Sequence, residues 1–181
     1  MATLDLTSPA RSELEVSVFG RGYGEAICVH VGDGEWVLVD SCIDPQTGAP
    51  AALSYLSALG LPAAEVVRLV TVTHWDDDHI RGVGQVVQVC SQAIVACSAA
   101  LRRPDIFAFV LEQEAARGAL GSGLDELRTI LRVCHTRGTI ILWAKANLPL
   151  YPLPPGDSPR VVALSPSEDA VERSIEALIE V

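Results

Sequence analysis

Residues 73–82 read Thr73-His74-Trp75-Asp76-Asp77-Asp78-His79-Ile80-Arg81-Gly82. They directly follow the apolar run Leu69-Val70-Thr71-Val72, which has the composition of a buried strand. Two imidazoles and three carboxylates therefore occupy six consecutive positions at the end of a predicted strand. Side chains of these types bind divalent metal ions when a turn brings them together.

The spacing within this stretch indicates how ions would be held. His74 and Asp76 are two positions apart, as are Asp76 and Asp78, so a tightly coiled segment would point their side chains into one pocket. Asp78 and His79 are adjacent, so a bend would turn them toward a second, neighbouring ion. The alternative is an acidic surface loop with incidental histidines. Two histidines flanking a run of three aspartates, with two glycines soon after, favour the metal site.

Length and composition predict one globular domain spanning residues 1–181. The 181 residues are enough for one sizeable core and marginal for two. The chain is 49% hydrophobic and 20% charged, which excludes a disordered polypeptide. No apolar run has the length to span a bilayer, and the first fifteen residues lack the basic start and apolar stretch of a signal peptide. We therefore expect a cytoplasmic protein with no membrane segment.

Charge and cysteine usage narrow the range of partners. The sequence has 13 basic and 23 acidic residues, a net charge of −10, which argues against general electrostatic binding of nucleic acid by this chain. A phosphate substrate is still compatible with this charge, because bound metal ions would reverse the local sign of the charge at the site. A basic partner could also provide the electrostatic attraction to nucleic acid. Five widely spaced cysteines without a Cys-x-x-Cys pattern predict reduced core thiols. These are Cys28, Cys42, Cys90, Cys97 and Cys134.

Hydrophobic periodicity predicts an α/β (α+β) fold with a mixed sheet and helices on its faces. The predicted strands are 14–19, 26–31, 36–39, 68–73, 93–97, 139–143 and 161–164, with a hairpin turn at Gly32-Asp33-Gly34. The predicted helices are 50–59, 80–89, 104–117, 124–135 and one capped by Ser167. The proline-rich residues 148–159 are expected to be irregular.

Three separate segments have the order and spacing of one known fold family. They are Gly22-Tyr23-Gly24-Glu25-Ala26-Ile27, Leu38-Val39-Asp40-Ser41 and His74-x-Asp76-x-Asp78-His79. They resemble the Gly-x-Gly-Asp-Ala-Ile element, the strand ending in Asp and the His-x-His-x-Asp-His motif of the metallo-β-lactamase fold. The likeness is greatest to the hydrolase-like domain of ComEC-type DNA-uptake proteins, which also carries Asp at the second motif position. Order and spacing agree over about residues 14–100.

The resemblance implies a metallo-β-lactamase-like αββα sandwich that holds two divalent metal ions. His74 and Asp76 would hold one ion, Asp78 and His79 the other, and Asp76 and Asp78 would be the catalytic carboxylates. Asp40 would lie beneath the ions and orient a ligand by hydrogen bonding. A water or hydroxide bridging two such ions has a lowered pKa and serves as the nucleophile. Asp76 in place of histidine hardens the first site, which makes Mn²⁺ or Mg²⁺ compatible beside Zn²⁺.

The second half of the family's pattern has no clear counterpart in this sequence. That half supplies a bridging Asp, usually within Gly-Asp at a strand end, and further histidines. Here the later Gly-Asp is Gly156-Asp157, within a proline-rich stretch. The histidines outside the motif, His30 and His135, are better explained as structural residues of a strand and a helix end. The chain is therefore expected to be the N-terminal half of the fold. A missing C-terminal half or a partner chain would supply the other ligands.

The expected function is metal-dependent hydrolysis of a phosphodiester, with a nucleic acid or nucleotide as substrate. The motif indicates the metal, and the resemblance alone indicates the substrate. One alternative is a non-catalytic or split subunit that needs a partner chain to complete the site. Another is thioester or lactam hydrolysis, for which Asp76 in place of histidine is unfavourable.

Overall fold

A computed structural model of the chain describes residues 6–20, 24–102, 122–152 and 161–172. Six strands form one sheet, in which neighbouring strands follow chain order. They are Glu15–Phe19 (β1), Ala26–His30 (β2), Trp36–Val39 (β3), Val67–Val72 (β4), Ile94–Ser98 (β5) and Ile141–Ala144 (β6). Pairing is antiparallel from β1 to β3 and parallel from β3 to β6.

Helices provide the crossovers that parallel strands require. They are Ala51–Ala58 (α1), Ala63–Val66 (α2), Asp77–Ile80 (α3), Val83–Val89 (α4) and Ser122–Arg137 (α5). A 3₁₀ turn, Ala99–Arg102, follows β5. Residues 168–172 are also helical, and Ser167 Oγ accepts a hydrogen bond from the Ala170 amide at 3.1 Å, as predicted for a helix cap. The predicted α/β fold with a mixed sheet flanked by helices is confirmed.

The predicted hairpin between β2 and β3 is present. Its turn residues Gly32, Asp33 and Gly34 have φ values of 95°, 54° and 79°. Glycine and aspartate are among the residues that adopt this left-handed region most readily, so the sequence itself specifies the turn.

The larger core lies between one face of the sheet and the helices. From the sheet it takes alternate side chains such as Trp36, Leu38 and Val70, which are at most 1% exposed. From the helices it takes Leu56, Val83, Val86, Leu127 and Ile130. Burying one such large aliphatic side chain stabilises a fold by about 1.5–3 kcal/mol, so these helices are held to the sheet mainly by apolar packing.

A small hairpin covers part of the other face. It pairs Pro149–Tyr151 (β7) with Val161–Val162 (β8) in antiparallel fashion. A second buried cluster lies beneath it, made of Val37, Leu69, Ala96, Ala144, Leu150 and Ala163. The Tyr151 hydroxyl also donates a hydrogen bond to the Glu35 carboxylate, to which Arg68 Nε donates at 3.1 Å. These polar contacts tie the small hairpin to the start of the central strands β3 and β4.

The same face is uncovered along β1. Leu14, Val16 and Val18 are 70%, 57% and 67% exposed. Val16 lies directly opposite Val29, which packs against the second cluster, so this row continues the apolar face beyond the small hairpin. We call these three residues the β1 apolar row.

Two predictions about local structure are wrong. The helix predicted over 80–89 is interrupted, because Gly82 has a φ of 88° and separates α3 from α4. Residues 148–159 were expected to be irregular because of their prolines, but Pro149–Tyr151 forms a strand. Proline is tolerated there because it starts a strand at the edge of a two-stranded sheet, where its missing N–H is not needed.

Several predictions fall on residues outside the described ranges. These are the helix at 104–117, the Gly156-Asp157 pair, the start of the Gly22–Ile27 element and most of the helix after Ser167. In the part of the chain that is described, no helix is both long and apolar enough to cross a bilayer.

We expect the five cysteines to resist thiol reagents in the folded protein. All five are buried and free, and burial raises the pKa of the Cys28, Cys90 and Cys97 thiols to about 12. The thiolate is the reactive form, so native protein should react far more slowly with 5,5′-dithiobis(2-nitrobenzoate) than protein in denaturant, where all five should react. A thiol that reacts at the same rate in both conditions would contradict the packing described.

Candidate metal centre

Parallel pairing of β3 with β4 brings Asp40 to the start of the motif. Val39 lies beside Thr71 in the register, and the Asp40 amide donates to the Thr71 carbonyl at 2.8 Å. Asp40 is 4% exposed and has a φ of 56°. Its Oδ1 accepts from the Thr73 amide at 2.8 Å, and its Oδ2 accepts from the Thr73 hydroxyl. Asp40 therefore fixes the point at which the chain leaves β4.

Asp40 also holds His79 in a defined orientation. His79 Nδ1 lies 3.0 Å from Asp40 Oδ2, which places a donor nitrogen against a carboxylate. In a neutral ring the lone pair is then on Nε2, which faces Asp78 Oδ2 at 3.8 Å. A carboxylate that orients a histidine in this way is the usual support of a metal-binding imidazole.

The surroundings of His79 favour a positive charge. Burial alone would lower the pKa of His79, but the hydrogen bond to Asp40 and the charges of Asp40, Asp78 and Glu25 outweigh it and raise that pKa. Glu25 Oε1 is 3.7 Å from His79 Nδ1. The same negative field would attract a metal cation.

His74 and Asp76 form a second pair next to the first. His74 Nδ1 lies 3.0 Å from Asp76 Oδ2, and both side chains are about half exposed. The His74 ring stacks on Trp75 at a centroid distance of 4.7 Å and meets the His79 ring edge-on at 6.0 Å. The four predicted ligands therefore lie in one short segment, as the pairs His74–Asp76 and His79–Asp78. We call this segment, residues 73–79 from the end of β4 into α3, the loop.

The loop is held in place by the early glycine element. The Glu25 amide donates to the Asp78 carbonyl at 2.8 Å, and the Ser41 amide donates to the His79 carbonyl at 2.8 Å. Gly24 has a φ of 100°, and a Cβ atom at this position would lie 2.9 Å from the Asp78 carbonyl oxygen. Glycine is required at position 24 both by its backbone conformation and by this close approach.

Glu126 on α5 caps the turn that follows the motif. One carboxylate oxygen accepts from the Gly82 amide at 2.7 Å and the other from the Gly84 amide at 2.7 Å. A Cβ atom at position 84 would lie 2.6 Å from Glu126 Oε2, so the contact needs glycine there. These amides begin α4 and have no capping side chain of their own, so a carboxylate from another helix satisfies them.

We expect Glu126→Ala to destabilise the fold by about 1–3 kcal/mol, because it leaves the amides of two buried glycines, Gly82 and Gly84, without this acceptor. Glu126→Gln keeps one acceptor oxygen and should cost less. Urea unfolding followed by circular dichroism measures both. The matched control is Asp125→Ala, since the ion pair of Asp125 with Arg128, at 3.4 Å, is exposed and contributes little. Equal stability of Glu126→Ala and wild type would contradict a capping role.

A comparison with models of known families gives one match that covers most of the chain. The model described as the metallo-beta-lactamase superfamily matches residues 20–168. The chain belongs to the metallo-beta-lactamase superfamily. The match reaches well beyond residues 14–100, over which the sequence motifs agree.

Solved metallo-beta-lactamases are also similar to this superfamily member over part of its length. The Rm3 metallo-beta-lactamase is 25% identical, with a TM-score of 0.38, over 50% of this chain and 35% of that one. The SMB-1 metallo-beta-lactamase bound to 2-mercaptoethanesulfonate is 23% identical, with a TM-score of 0.39, over 53% and 36%. Each match thus spans only about a third of the other protein. A search of curated proteins found no significant match.

Members of the metallo-beta-lactamase superfamily usually bind divalent metal ions, typically zinc. The donor types present here fit such ions, since imidazole nitrogens and carboxylates are their common ligands. Among the described residues, however, no three His, Cys, Asp or Glu side chains form a group that could hold an ion together. Each pair supplies two donors, fewer than the four that zinc usually takes. The ligand roles of His74, Asp76, Asp78 and His79 stay predictions, as do the catalytic roles of Asp76 and Asp78.

The structure adds contacts that sequence reasoning missed. Glu25 belongs to the early glycine element of the sequence, and its carboxylate approaches His79. Thr73 is the last residue of the strand predicted over 68–73, and it donates twice to Asp40. Glu126 lies on a helix 44 positions from the glycine it caps, and nothing in its local sequence indicates that contact. His30, expected to be structural, is buried, with Nδ1 2.8 Å from the Glu13 carbonyl oxygen.

Proposed function

We propose that this chain is a metal-dependent hydrolase of phosphodiesters, a nuclease-like member of the superfamily close to the ComEC-type branch. The arrangement of Asp40, His79 and Asp78 carries the proposal, because a buried carboxylate orients an imidazole whose other nitrogen faces a second carboxylate. The His74–Asp76 pair lies beside it in the same loop. The branch and the substrate rest on the resemblance of the motifs, in which Asp76 replaces a histidine.

The residues of this chain would position the reacting groups. Asp40 keeps the lone pair of His79 Nε2 on the side of Asp78, and the half-exposed His74 and Asp76 leave the loop open to solvent and substrate. A divalent ion, when bound, lowers the pKa of a coordinated water and neutralises the negative charge of a phosphodiester. We propose two ions, Zn²⁺ or Mn²⁺ with Mg²⁺ also compatible, because Asp76 makes the first pair harder than two imidazoles would.

A second candidate is a subunit that needs a partner to complete the site. It is favoured by the two-donor pairs, since the described residues contain no group of three ligands. It is also favoured by the β1 apolar row, because exposed apolar patches often mark interfaces. In that case a partner chain would bring the further ligands that the superfamily's ions require.

The test is an assay of the purified chain with Mn²⁺ or Zn²⁺ and with EDTA. Bis(p-nitrophenyl) phosphate and a single-stranded oligonucleotide serve as phosphodiesters, and nitrocefin serves as a lactam. Metal-dependent cleavage of either phosphodiester, without cleavage of nitrocefin, supports the proposal. Cleavage of nitrocefin alone, or equal rates with metal and with EDTA, would overturn it.

Native mass spectrometry separates catalysis by this chain from a partner-dependent site. A monomer that binds metal and cleaves a phosphodiester would exclude the need for a partner. A monomer that binds no metal under the same conditions favours the split-site candidate, provided that metal binding appears when the partner is added.

A further inference from the structure

Strand β1 forms one edge of the main sheet, and its outer side is unpaired. In the described part of the chain, β1 pairs with β2 alone, over five residue pairs in unbroken register. Natural proteins usually protect such an edge with lysine, proline or a β-bulge. β1 has none of these, since its sequence is Glu-Val-Ser-Val-Phe. An unprotected edge of this kind can accept a further strand.

The backbone groups on the unpaired side belong to the β1 apolar row. The amide of Val31, which follows β2, donates to the Glu35 carbonyl at 2.9 Å. The odd-numbered residues of β2 therefore direct their backbone groups at β3, and the even-numbered ones direct theirs at β1. Those even-numbered residues lie opposite the odd-numbered residues of β1, such as Ser17. The amides and carbonyls of the β1 apolar row, whose residues are even-numbered, thus point away from the sheet.

The side chains of this edge are apolar on one face of the sheet and polar on the other. On the polar face, Glu15 Oε1 accepts hydrogen bonds from Ser17 Oγ at 2.9 Å and from the Tyr55 hydroxyl of α1 at 2.5 Å. These contacts hold the one charged side chain of β1 in place. A strand that pairs here must set apolar residues beside the β1 apolar row and must not set a carboxylate opposite Glu15.

A second copy of β1 meets both conditions in one register. In an antiparallel pair centred on Val16, this residue lies opposite the Val16 of the second copy, and the two outer members of the β1 apolar row lie opposite one another. Glu15 then lies opposite Ser17, a neutral hydroxyl. Centring the pair on Glu15 would set two carboxylates directly opposite each other, and centring it on Ser17 would set Glu15 opposite Phe19.

The same register satisfies the unpaired backbone groups. Because the backbone of Val16 points outward, the two Val16 residues form a hydrogen-bonded pair, and Leu14 forms one with Val18 of the other copy on either side. This arrangement gives about six hydrogen bonds between the two strands. A two-fold axis uses the same surface of both copies, so the association ends at a dimer.

We propose that two copies of this chain associate through β1 into a symmetric dimer with one continuous sheet. The partner is a second copy because its strand is complementary in polarity, in charge and in the direction of its backbone groups. The interface is one strand long, so it belongs to the small class that dissociates readily. The pairing needs neither metal nor turnover, so it is independent of the proposed hydrolase activity.

Sedimentation equilibrium of the full chain in EDTA, over about 1–300 µM, tests the inference in the range where weak dimers dissociate. We expect the average mass to rise with concentration from the 19.2 kDa of one chain toward twice that value, and no further. Val16→Lys sets two ammonium groups opposite each other and adds the residue that natural edges use against pairing. It should weaken association at least about tenfold. Val16 is exposed in the single chain, so the fold should stay intact.

A charge pair tests the register. Leu14→Lys and Val18→Glu should each weaken association, whereas the double variant sets opposite charges across both outer pairs and should associate more strongly than either single variant. The matched control is Ile140→Lys, at an exposed residue just before β6, the strand at the opposite edge of the sheet. This control should associate as wild type does. Circular dichroism checks each fold, and the charge pair gives the test if Val16→Lys does not fold.

Several results would overturn the inference. A wild-type chain that stays monomeric at the highest concentration would remove the dimer and leave the β1 apolar row to a different partner. Assembly beyond a dimer, equal association of Val16→Lys and wild type, or a double variant no stronger than the single ones would exclude this pairing. Phosphodiester cleavage is tested separately, so the proposed function stands or fails by its own assay.

Discussion

Replacing His74 by alanine or Asp78 by asparagine is expected to lower kcat/KM for bis(p-nitrophenyl) phosphate more than about 100-fold. Changing only the outer hydrogen-bond partner of a metal ligand typically costs 10–100-fold, so loss of the ligand itself should cost more. His74 belongs to one pair and Asp78 to the other, so both variants should fail if both pairs hold ions. Initial rates with Mn²⁺, together with metal content after gel filtration, measure the effect.

Two exposed residues of α5 provide matched controls. His135→Ala removes an imidazole in the last turn of the helix, and Asp125→Asn removes a carboxylate charge in the first turn. Both should keep the rate and metal content of wild type. The same rate in His74→Ala, Asp78→Asn and wild type would remove the assigned ligands, whichever metal is supplied.

The other large effect is expected for stability, in Asp40→Asn. Asparagine tolerates the φ of 56° at this position, so backbone strain stays nearly constant. The Asp40 carboxylate accepts hydrogen bonds from the Thr73 amide, the Thr73 hydroxyl and His79 Nδ1. An asparagine side chain has one oxygen in place of two, and its NH₂ group, itself a donor, would face one or more of these donors. Loss of charge-assisted bonds at a buried site should destabilise the fold by about 2–4 kcal/mol, which urea unfolding in EDTA would measure.

Asp33→Asn is the control for the substitution itself. Asp33 also has a positive φ, of 54°, but its carboxylate is exposed and lies 3.8 Å from an equally exposed Arg11 nitrogen. The urea midpoint of this variant should match wild type, since exposed ion pairs contribute little. A similar loss of stability in Asp33→Asn and Asp40→Asn would mean that the buried contacts of Asp40 are not the cause.

Local signals in the sequence were sufficient for most of the sheet. The Gly32-Asp33-Gly34 turn could be predicted because its residues favour the left-handed conformation the hairpin needs. The strand at β4 could be predicted because its apolar run ends in the polar motif. The break at Gly82 was missed, since an isolated glycine in a helical pattern does not by itself show whether its φ will be positive.

The sequence indicates which residues could form the candidate site, but it does not specify the contacts between them. The motif placed His74 and His79 in one loop, and the resemblance placed Asp40 beneath it. Which histidine Asp40 supports depends on the parallel register of β3 and β4. The apolar runs of these two largely buried strands are nearly continuous, so they do not specify that register. The role of Glu126 could not be predicted from the sequence, because the packing of α5 against α4 determines its contacts.

The parallel pairing of β3 with β4 also has a consequence for the order of events during synthesis. Asp40 and His79 are 39 positions apart, and Glu126 is another 44 positions beyond Gly82. When Asp40 emerges from the ribosome, His79 has not yet emerged, so Asp40 cannot orient its imidazole. The cap on the turn at Gly82 forms only after α5, which carries Glu126, has emerged. Until then, the donors of this loop have emerged together, but the turn that follows them lacks the carboxylate that caps it.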